Sequence, residues 1–262
     1  MGKTPNLKVL CIHSYAVHRT ASTKAALSLL GSHLLPVPSL MLSGLTNLDA
    51  VFKFEVPFEE LLRATFRHAQ QFDQRLILFI GYLGKPEQVD ILLECIEEHK
   101  HIIDHILVDP VSGDHDRRYV PEEIIQAWPK LLSIADWSTP NLTEVKLLSG
   151  LSTEEDHTEK AFITAFRDRF PNLSTIITSL SGDGQIGISV THKDSSFTHW
   201  HEKLSQNFGG TGDVFSSQFI RYFFLQKMGL DESVEKAAED TLAIVKSSIE
   251  GESKELLIYP FS

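Results

Sequence analysis

Short apolar runs alternate along this chain with longer stretches whose hydrophobic positions recur at helical spacing. Leu7 to Ile12 reads as a buried strand, and Ala21 to Ser32 as a helix with Ala25, Ala26, Leu29 and Leu30 on one face. Leu34 to Leu42 is extended but carries Pro36 and Pro38, which mark an edge or an irregular segment. Pro57 to Phe72 reads as a helix with Pro57 in its first turn. Leu76 to Ile80 has no polar residue, as a strand covered on both faces should. Pro86 to His99 is helical, Ile106 to Val108 a strand, and Pro121 to Leu132 helical. Asn141 to Ser149 is a short helix stopped by Gly150, and Glu154 to Phe170 a longer one. Thr175 to Ser179 is a strand, and Gly184 to Val190 with Phe197 to Trp200 a hairpin across Lys193-Asp194. Val214 to Met228 and Glu232 to Ile249 are the last helices, and Leu256 to Tyr259 a last strand.

Strands alternating with helices of this length predict an α/β protein: a central, mainly parallel sheet with helices on both faces. No linker, repeat or low-complexity segment divides the 262 residues, so residues 1–262 read as one domain. In such sheets ligands sit beyond the carboxyl ends of the strands, which makes the residues just after each strand the ones to inspect.

Composition narrows the chemistry. The chain is 42% hydrophobic and 23% charged, ordinary values for a globular protein. Its formal net charge of -11 argues against nucleic acid or an anionic membrane as partner. An anionic substrate must then be held by backbone amides, a metal ion or a few local cations. Cys11 and Cys95 lie in apolar segments and read as buried free thiols, which fits a reducing compartment and a cytoplasmic protein. The start, Met1-Gly2-Lys3-Thr4-Pro5-Asn6, does not read as a signal peptide, and no apolar run reaches membrane-spanning length. None of the 12 histidines falls in a zinc-binding pattern.

The most informative stretch is Asn207-Phe208-Gly209-Gly210-Thr211-Gly212-Asp213-Val214-Phe215-Ser216-Ser217. Its glycines and threonine lead into an apolar helix whose N-terminus would present unpaired N–H groups to an anion. Asp213 there is either a cap or a base poised beside that anion. An anion cradle beside a general base is what phosphoryl transfer to an alcohol requires. Other strand ends carry His13-Ser14-Tyr15-Ala16-Val17, Gly81-Tyr82-Leu83-Gly84, Asp109 and Asp114, Thr139-Pro140-Asn141-Leu142-Thr143-Glu144, and Thr178-Ser179. Asn141 and Glu144 have the spacing of a capping box, and an acid in that first turn also suits the water shell of Mg²⁺. Neither a Walker sequence nor a dinucleotide-binding Gly-x-Gly-x-x-Gly after the first strand is present.

On these motifs the chain resembles the ribokinase-like superfamily, and within it the pyridoxal kinases. Gly210-Thr211-Gly212-Asp213 resembles the superfamily's Gly-x-Gly-Asp motif, and Asn141-x-x-Glu144 its Asn-x-x-Glu motif. Val108 to Asp114 with Tyr119-Val120-Pro121-Glu122 is similar to a pyridoxal kinase pattern, as is Gly81-Tyr82-Leu83-Gly84. The resemblance runs from Ile12 to Ser217 and implies a three-layer α/β/α ribokinase-like fold with a small flap, Leu40 to Phe54, over the substrate. It implies ATP-dependent phosphorylation of the 5′-hydroxymethyl group of a B6 vitamer by a homodimer. Asp213 would be the base, and the amides of Gly210, Thr211 and Gly212 would stabilise the γ-phosphoryl charge. Asp109 and Glu144 would organise Mg²⁺, largely through water, and a monovalent cation is a further candidate. Asp114, Asn141, Thr178 and Ser179 would approach the nucleotide. Ser14, Val17, Ser39 and Tyr82 would line the vitamer pocket. Three departures stand out: His13-Ser14-Tyr15 where Gln-Ser-His is frequent, Ser22 where glycine is usual, and His115-Asp116 where a glycine is frequent. The alternatives are a hydroxymethylpyrimidine kinase, a non-catalytic binder of pyridoxal phosphate, and a generic parallel-sheet protein.

Overall fold

The computed structural model describes residues 6–45, 48, 50–152 and 155–258. In chain order the elements are β1 (Asn6–His18), α1 (Thr23–Leu30), β2 (Leu34–Gly44), β3 (Lys53–Phe54), α2 (Phe58–Gln71), β4 (Gln74–Ile80), α3 (Glu87–His99) and β5 (Ile103–Val108). There follow β6 (Gly113–Asp114), β7 (Arg117–Arg118), α4 (Glu122–Leu132), β8 (Trp137–Ser138), α5 (Leu142–Leu148) and α6 (Glu159–Arg169). The chain closes with β9 (Ser174–Ser181), β10 (Gln185–His192), β11 (Ser195–Glu202), α7 (Thr211–Phe219) and α8 (Leu230–Glu250).

Nine strands form one sheet in the order β11-β10-β9-β8-β5-β4-β1-β2-β3, and β6 pairs with β7 in a separate hairpin. From β2 to β9 every pairing is parallel, while β3, β10 and β11 are attached antiparallel. Alternation along β1 shows why both faces must be covered. Leu10 and Ile12 point into one apolar cluster with α2 to α6, and Val9 and Cys11 into another with α1, α7 and α8. The three-layer arrangement follows from that alternation. Among the described residues no helix is long and apolar enough to cross a membrane.

Several boundaries differ from the sequence expectation. β1 runs to His18, so His13 to Val17 lie within it, across a register shift against β2 between His13 and Tyr15. The segment with two prolines is a continuous strand that is irregular as expected: β2 pairs along β1 from Leu34 to Gly44 and bulges by one residue between Pro38 and Met41. Its outer side is met by β3 only at Met41 and Leu42, so Pro36 and Pro38 deprive no neighbour of a donor on that side. The helix expected from Glu154 starts at Glu159, because the Thr158 hydroxyl accepts from the Ala161 N–H and caps it there; Glu154 itself lies outside the described residues. The helix expected from Val214 to Met228 begins at Thr211 and passes into a π-helical turn at Ile220–Leu225. Leu256 to Ile258 form no strand, and Tyr259 lies outside the described residues. In the proposed flap, residues 46, 47 and 49 also lie outside them.

The β6–β7 hairpin was not foreseen. Its two-residue turn, His115 and Asp116, has φ of 49° and 58°, the mirror-image turn that suits strand twist and that Asn-Gly fills best. Replacing His115-Asp116 by Asn-Gly is therefore expected to raise the unfolding free energy by about 1 kcal/mol, read as a shifted midpoint in a urea titration with unchanged slope.

Candidate active site

The strand order reverses at β1, which has β2 on one side and β4 on the other. That crevice is where an open α/β sheet binds ligands. Here β1 delivers His13 from within its second half, the carboxyl ends of β4 and β5 deliver Gly81 and Asp109, and the N-termini of α1, α5 and α7 deliver Ser22, Glu144 and Asp213.

The mouth of α7 is set by Gly210. It caps the helix at φ 95°, and a Cβ there would lie 2.9 Å from both the Ala21 Cβ and the Thr20 carbonyl oxygen. Only glycine combines that angle with that approach. The first intrahelical bond runs from the Val214 N–H to the Gly210 oxygen at 3.0 Å. The N–H groups of Thr211, Gly212 and Asp213 therefore have no acceptor within the helix and face outward with its positive dipole end. The Thr211 hydroxyl donates to the Phe208 oxygen at 2.9 Å and steadies the turn.

Asp213 is buried, and its carboxylate is gripped from the α1 side and the β1 side. The Ser22 N–H donates to Oδ2 at 2.7 Å. His13 Nε2 lies 2.8 Å from Oδ1, off the line of a formed hydrogen bond. Ser22 has φ 53°, a glycine-like angle, and its hydroxyl accepts from that of Ser14 at 3.0 Å.

Asp109 and Glu144 complete an acidic cluster. Both are buried, and burial pushes each carboxyl well above the usual range. The charge of Asp213 adds to this at Asp109, and that of Asp109 at Glu144, while the Ser216 hydroxyl partly relieves Asp109. Glu144 also closes the capping box of α5: it accepts from the Asn141 N–H at 2.9 Å, and Asn141 accepts from its N–H at 3.0 Å. Its other oxygen takes the Ser112 N–H at 3.0 Å. The capping reading of Glu144 thus holds in full. Among the described residues no three Asp, Glu, His or Cys converge as a full metal cage. Buried, mutually repelling carboxylates still fit a hard cation that keeps its waters and takes few protein ligands.

The nucleotide-side candidates also meet. A bridge joins Asn141 to Thr178, whose N–H donates to the Pro140 oxygen at 2.9 Å. Ser179, at φ 65°, marks a bulge in β9. Asp114, Asn141, Thr178 and Ser179 share one cleft with Thr211 and Gly212, and its floor is apolar, with Ile188, Phe215 and Leu242. The vitamer-side candidates are spread wider. Ser14 touches Ser22 beside Asp213. Ser39 donates to the Tyr82 carbonyl, and Tyr82 is buried in the core, its hydroxyl pushed up by burial. Val17, at 59% exposure, stands in solvent on the extension of β1. From the sequence no role was assigned to His13, Ser22, Ser216 or Gln88, although His13 and Ser22 stand at departures from the family pattern. The Gln88 side chain accepts from the Gly84 N–H at 2.8 Å and donates to the Ser39 oxygen at 2.7 Å, which fastens the β4 loop to β2.

The phosphomethylpyrimidine kinase family matches residues 46–256. A pyridoxal kinase of Arabidopsis thaliana is 27% identical, over 93% of this chain and 82% of its own. Pyridoxal kinase from Entamoeba histolytica superposes with a TM-score of 0.85 at 21% identity, covering 96% of this chain and 92% of that one. Pyridoxal kinase from Leishmania donovani, in complex with ADP and pyridoxamine, gives 0.77 at 23% identity, covering 96% and 90%. These likenesses establish a shared fold with helices on both faces of a mostly parallel sheet.

Because ionised Asp109 is penalised by burial and by its neighbours, Asp109→Asn is expected to raise the thermal midpoint of the ligand-free protein, by about 2–4 °C per kcal/mol of relief. A carboxyl whose folded pKa is raised costs stability above that pKa. The gain should be largest at alkaline pH and shrink as pH falls through the raised pKa, which calorimetry across a pH series reads directly.

Proposed function

The chain belongs to the phosphomethylpyrimidine kinase family, and from that premise we propose that this kinase transfers the γ-phosphoryl group of ATP to the 5′-hydroxymethyl group of pyridoxal, pyridoxine or pyridoxamine. The observation that carries the reading is Asp213: a buried carboxylate in the first turn of α7, beside three N–H groups with no acceptor in the helix. Curated pyridoxal kinases among the relatives and an ADP-bound one among the structural neighbours support it.

The protein's part in this chemistry is alignment and charge stabilisation. The substrate hydroxyl gives its proton to Asp213 as its oxygen bonds to the γ-phosphorus and the bond to the departing ADP breaks. The amides of Gly210, Thr211 and Gly212 receive the oxygens of the migrating group, where fixed donors cost no reorganisation during transfer. Asp109 and Glu144 would hold Mg²⁺ through its waters, and the ion would neutralise phosphate charge. Asp114, Asn141, Thr178 and Ser179 serve the nucleotide side. Ser14 and Ser39 serve the vitamer side with Tyr82 and Val17, and segment 40–54 closes over it to exclude water.

The domain is a single one over residues 1–262, acting in the cytoplasm, where Cys11 and Cys95 remain free thiols. It works as a homodimer. Val17 and Met41 are exposed near the end of the sheet, as are Phe52 and Phe54, an apolar set that a second copy would cover.

A coupled ADP-release assay over B6 vitamers and hydroxymethylpyrimidine tests the substrate. Vitamer-dependent ADP release is expected, and a preference for the pyrimidine would hand the site to the other branch of the family. Asp213→Asn should lower turnover by about 10²–10⁴-fold with ATP affinity by calorimetry largely intact. Near-normal turnover in that variant would remove Asp213 from its role.

A further inference from the structure

We propose that His13 is a positioning residue for Asp213: a fixed hydrogen donor that sets the carboxylate's rotamer and takes no proton in the reaction. The proposal rests on the reading of Asp213 as the base.

Three contacts define the ring. Nδ1 accepts the N–H of Ser14 at 3.0 Å and that of Tyr82 at 3.3 Å. Two donors aimed at one nitrogen leave no hydrogen on it, so the hydrogen sits on Nε2. Nε2 is shielded from solvent, and the Asp213 Oδ1 at 2.8 Å is the acceptor it faces. A small rotation of the carboxylate brings that oxygen onto the N–H line, and such catalytic contacts commonly tighten when substrate arrives. An N–H left unpaired in this interior is costly, so the pair is under pressure to form. Oδ2 is already fixed by the Ser22 N–H. Each carboxylate oxygen has two acceptor positions, so one on each remains for an incoming alcohol.

The same network excludes His13 as a relay. A relay needs a free lone pair to take the proton from Asp213. The Nδ1 lone pair is occupied by two main-chain donors, and Nε2 already carries a hydrogen. What remains is orientation.

The surrounding chain holds the ring in place. A Cβ on Gly81 would lie 2.1 Å from the His13 Cδ2 and 2.2 Å from Nε2, so the imidazole occupies the space that a side chain at position 81 would take. The Gly81 N–H is itself tied to the Ile12 oxygen at 2.8 Å. Phe79 meets the ring edge-on at 6.0 Å between centroids. Ring, glycine and both strand ends form one unit directly behind Asp213.

The test pairs two variants with one spectrum. His13→Gln keeps an acceptor for Ser14 and Tyr82 and a donor for Asp213, whereas His13→Leu keeps neither. His13→Leu is expected to lose about 10- to 100-fold in kcat, with vitamer KM and ATP affinity nearly unchanged, and His13→Gln should restore most of the loss. Wild-type turnover in His13→Leu would overturn the proposal. So would a His13→Gln enzyme as impaired as His13→Leu, since the imidazole itself would then be needed. Nitrogen-15 NMR of histidine-labelled wild-type protein reads the tautomer without any assay: protonated Nε2 and bare Nδ1 are expected, with the Nε2 resonance moving in Asp213→Asn. The opposite tautomer, or no response to Asp213→Asn, would sink the contact even where turnover data agree. Absence of ADP release by wild-type protein with every alcohol would instead count against the kinase reading, and the spectrum would still decide the His13 contact.

Discussion

Buried like charge at the end of a parallel sheet is the constraint around which this site is organised. Asp109, Glu144 and Asp213 are all withdrawn from water and near enough for Asp213 to act on Asp109 and Asp109 on Glu144. An unpaired carboxylate in such surroundings is costly, and the fold offsets part of the cost, with main-chain donors at Glu144 and Asp213 and the Ser216 hydroxyl at Asp109. Ser112 and Asn141 supply N–H groups to Glu144, Ser22 supplies one to Asp213, and the dipole of α7 points its positive end at the cluster. In the proposed reading the residual repulsion is what would draw a cation, and with it the metal-shielded phosphates of a nucleotide, to this site. An acidic chain with a net charge of -11 can therefore hold a polyanion without a basic surface.

The layer architecture was legible because it depends on pattern. β4 announced itself by five apolar residues in a row, which only two-sided burial tolerates. α5 announced itself by the Asn141–Glu144 spacing, and the capping box is present in full. What misled was polarity inside an element. His13 and Ser14 look like a strand's end, yet β1 continues to His18 because both residues find buried partners. Position 158 was similarly hidden, since a threonine cap competes with an acidic stretch that also reads as helix.

The residues of the proposed site divide along the same line. Gly210 and Asp213 could be found because a helix mouth has a local signature, as could Asn141 and Glu144. His13, Ser22, Ser216 and Gln88 could not, because their partners are far along the chain: Asp213 lies 191 residues from Ser22. Tyr82 and Val17 differ in burial: Tyr82 lies largely in the core and Val17 in solvent. Direction follows the period of two along β1: Leu10, Ile12 and Ala16 share one apolar face, and Val17 points the other way near the strand's end.

Strain at Ser22 shows what the site values. A serine at φ 53° is disfavoured relative to glycine, yet at that angle the Ser22 N–H meets Asp213 while its hydroxyl meets Ser14. Because backbone atoms do most of the holding, the side chains behind them are free to change in kind as long as their hydrogen-bonding pattern is kept. Position 13 illustrates the rule: what the site requires there is an acceptor facing two N–H groups and a donor facing Oδ1, and an imidazole supplies both from one planar ring. A glycine at position 81 is the condition for that solution, because the ring needs the volume that any other residue would fill. Two positions 68 residues apart in sequence, 13 and 81, are thereby coupled through a single contact, and neither can be read without the other.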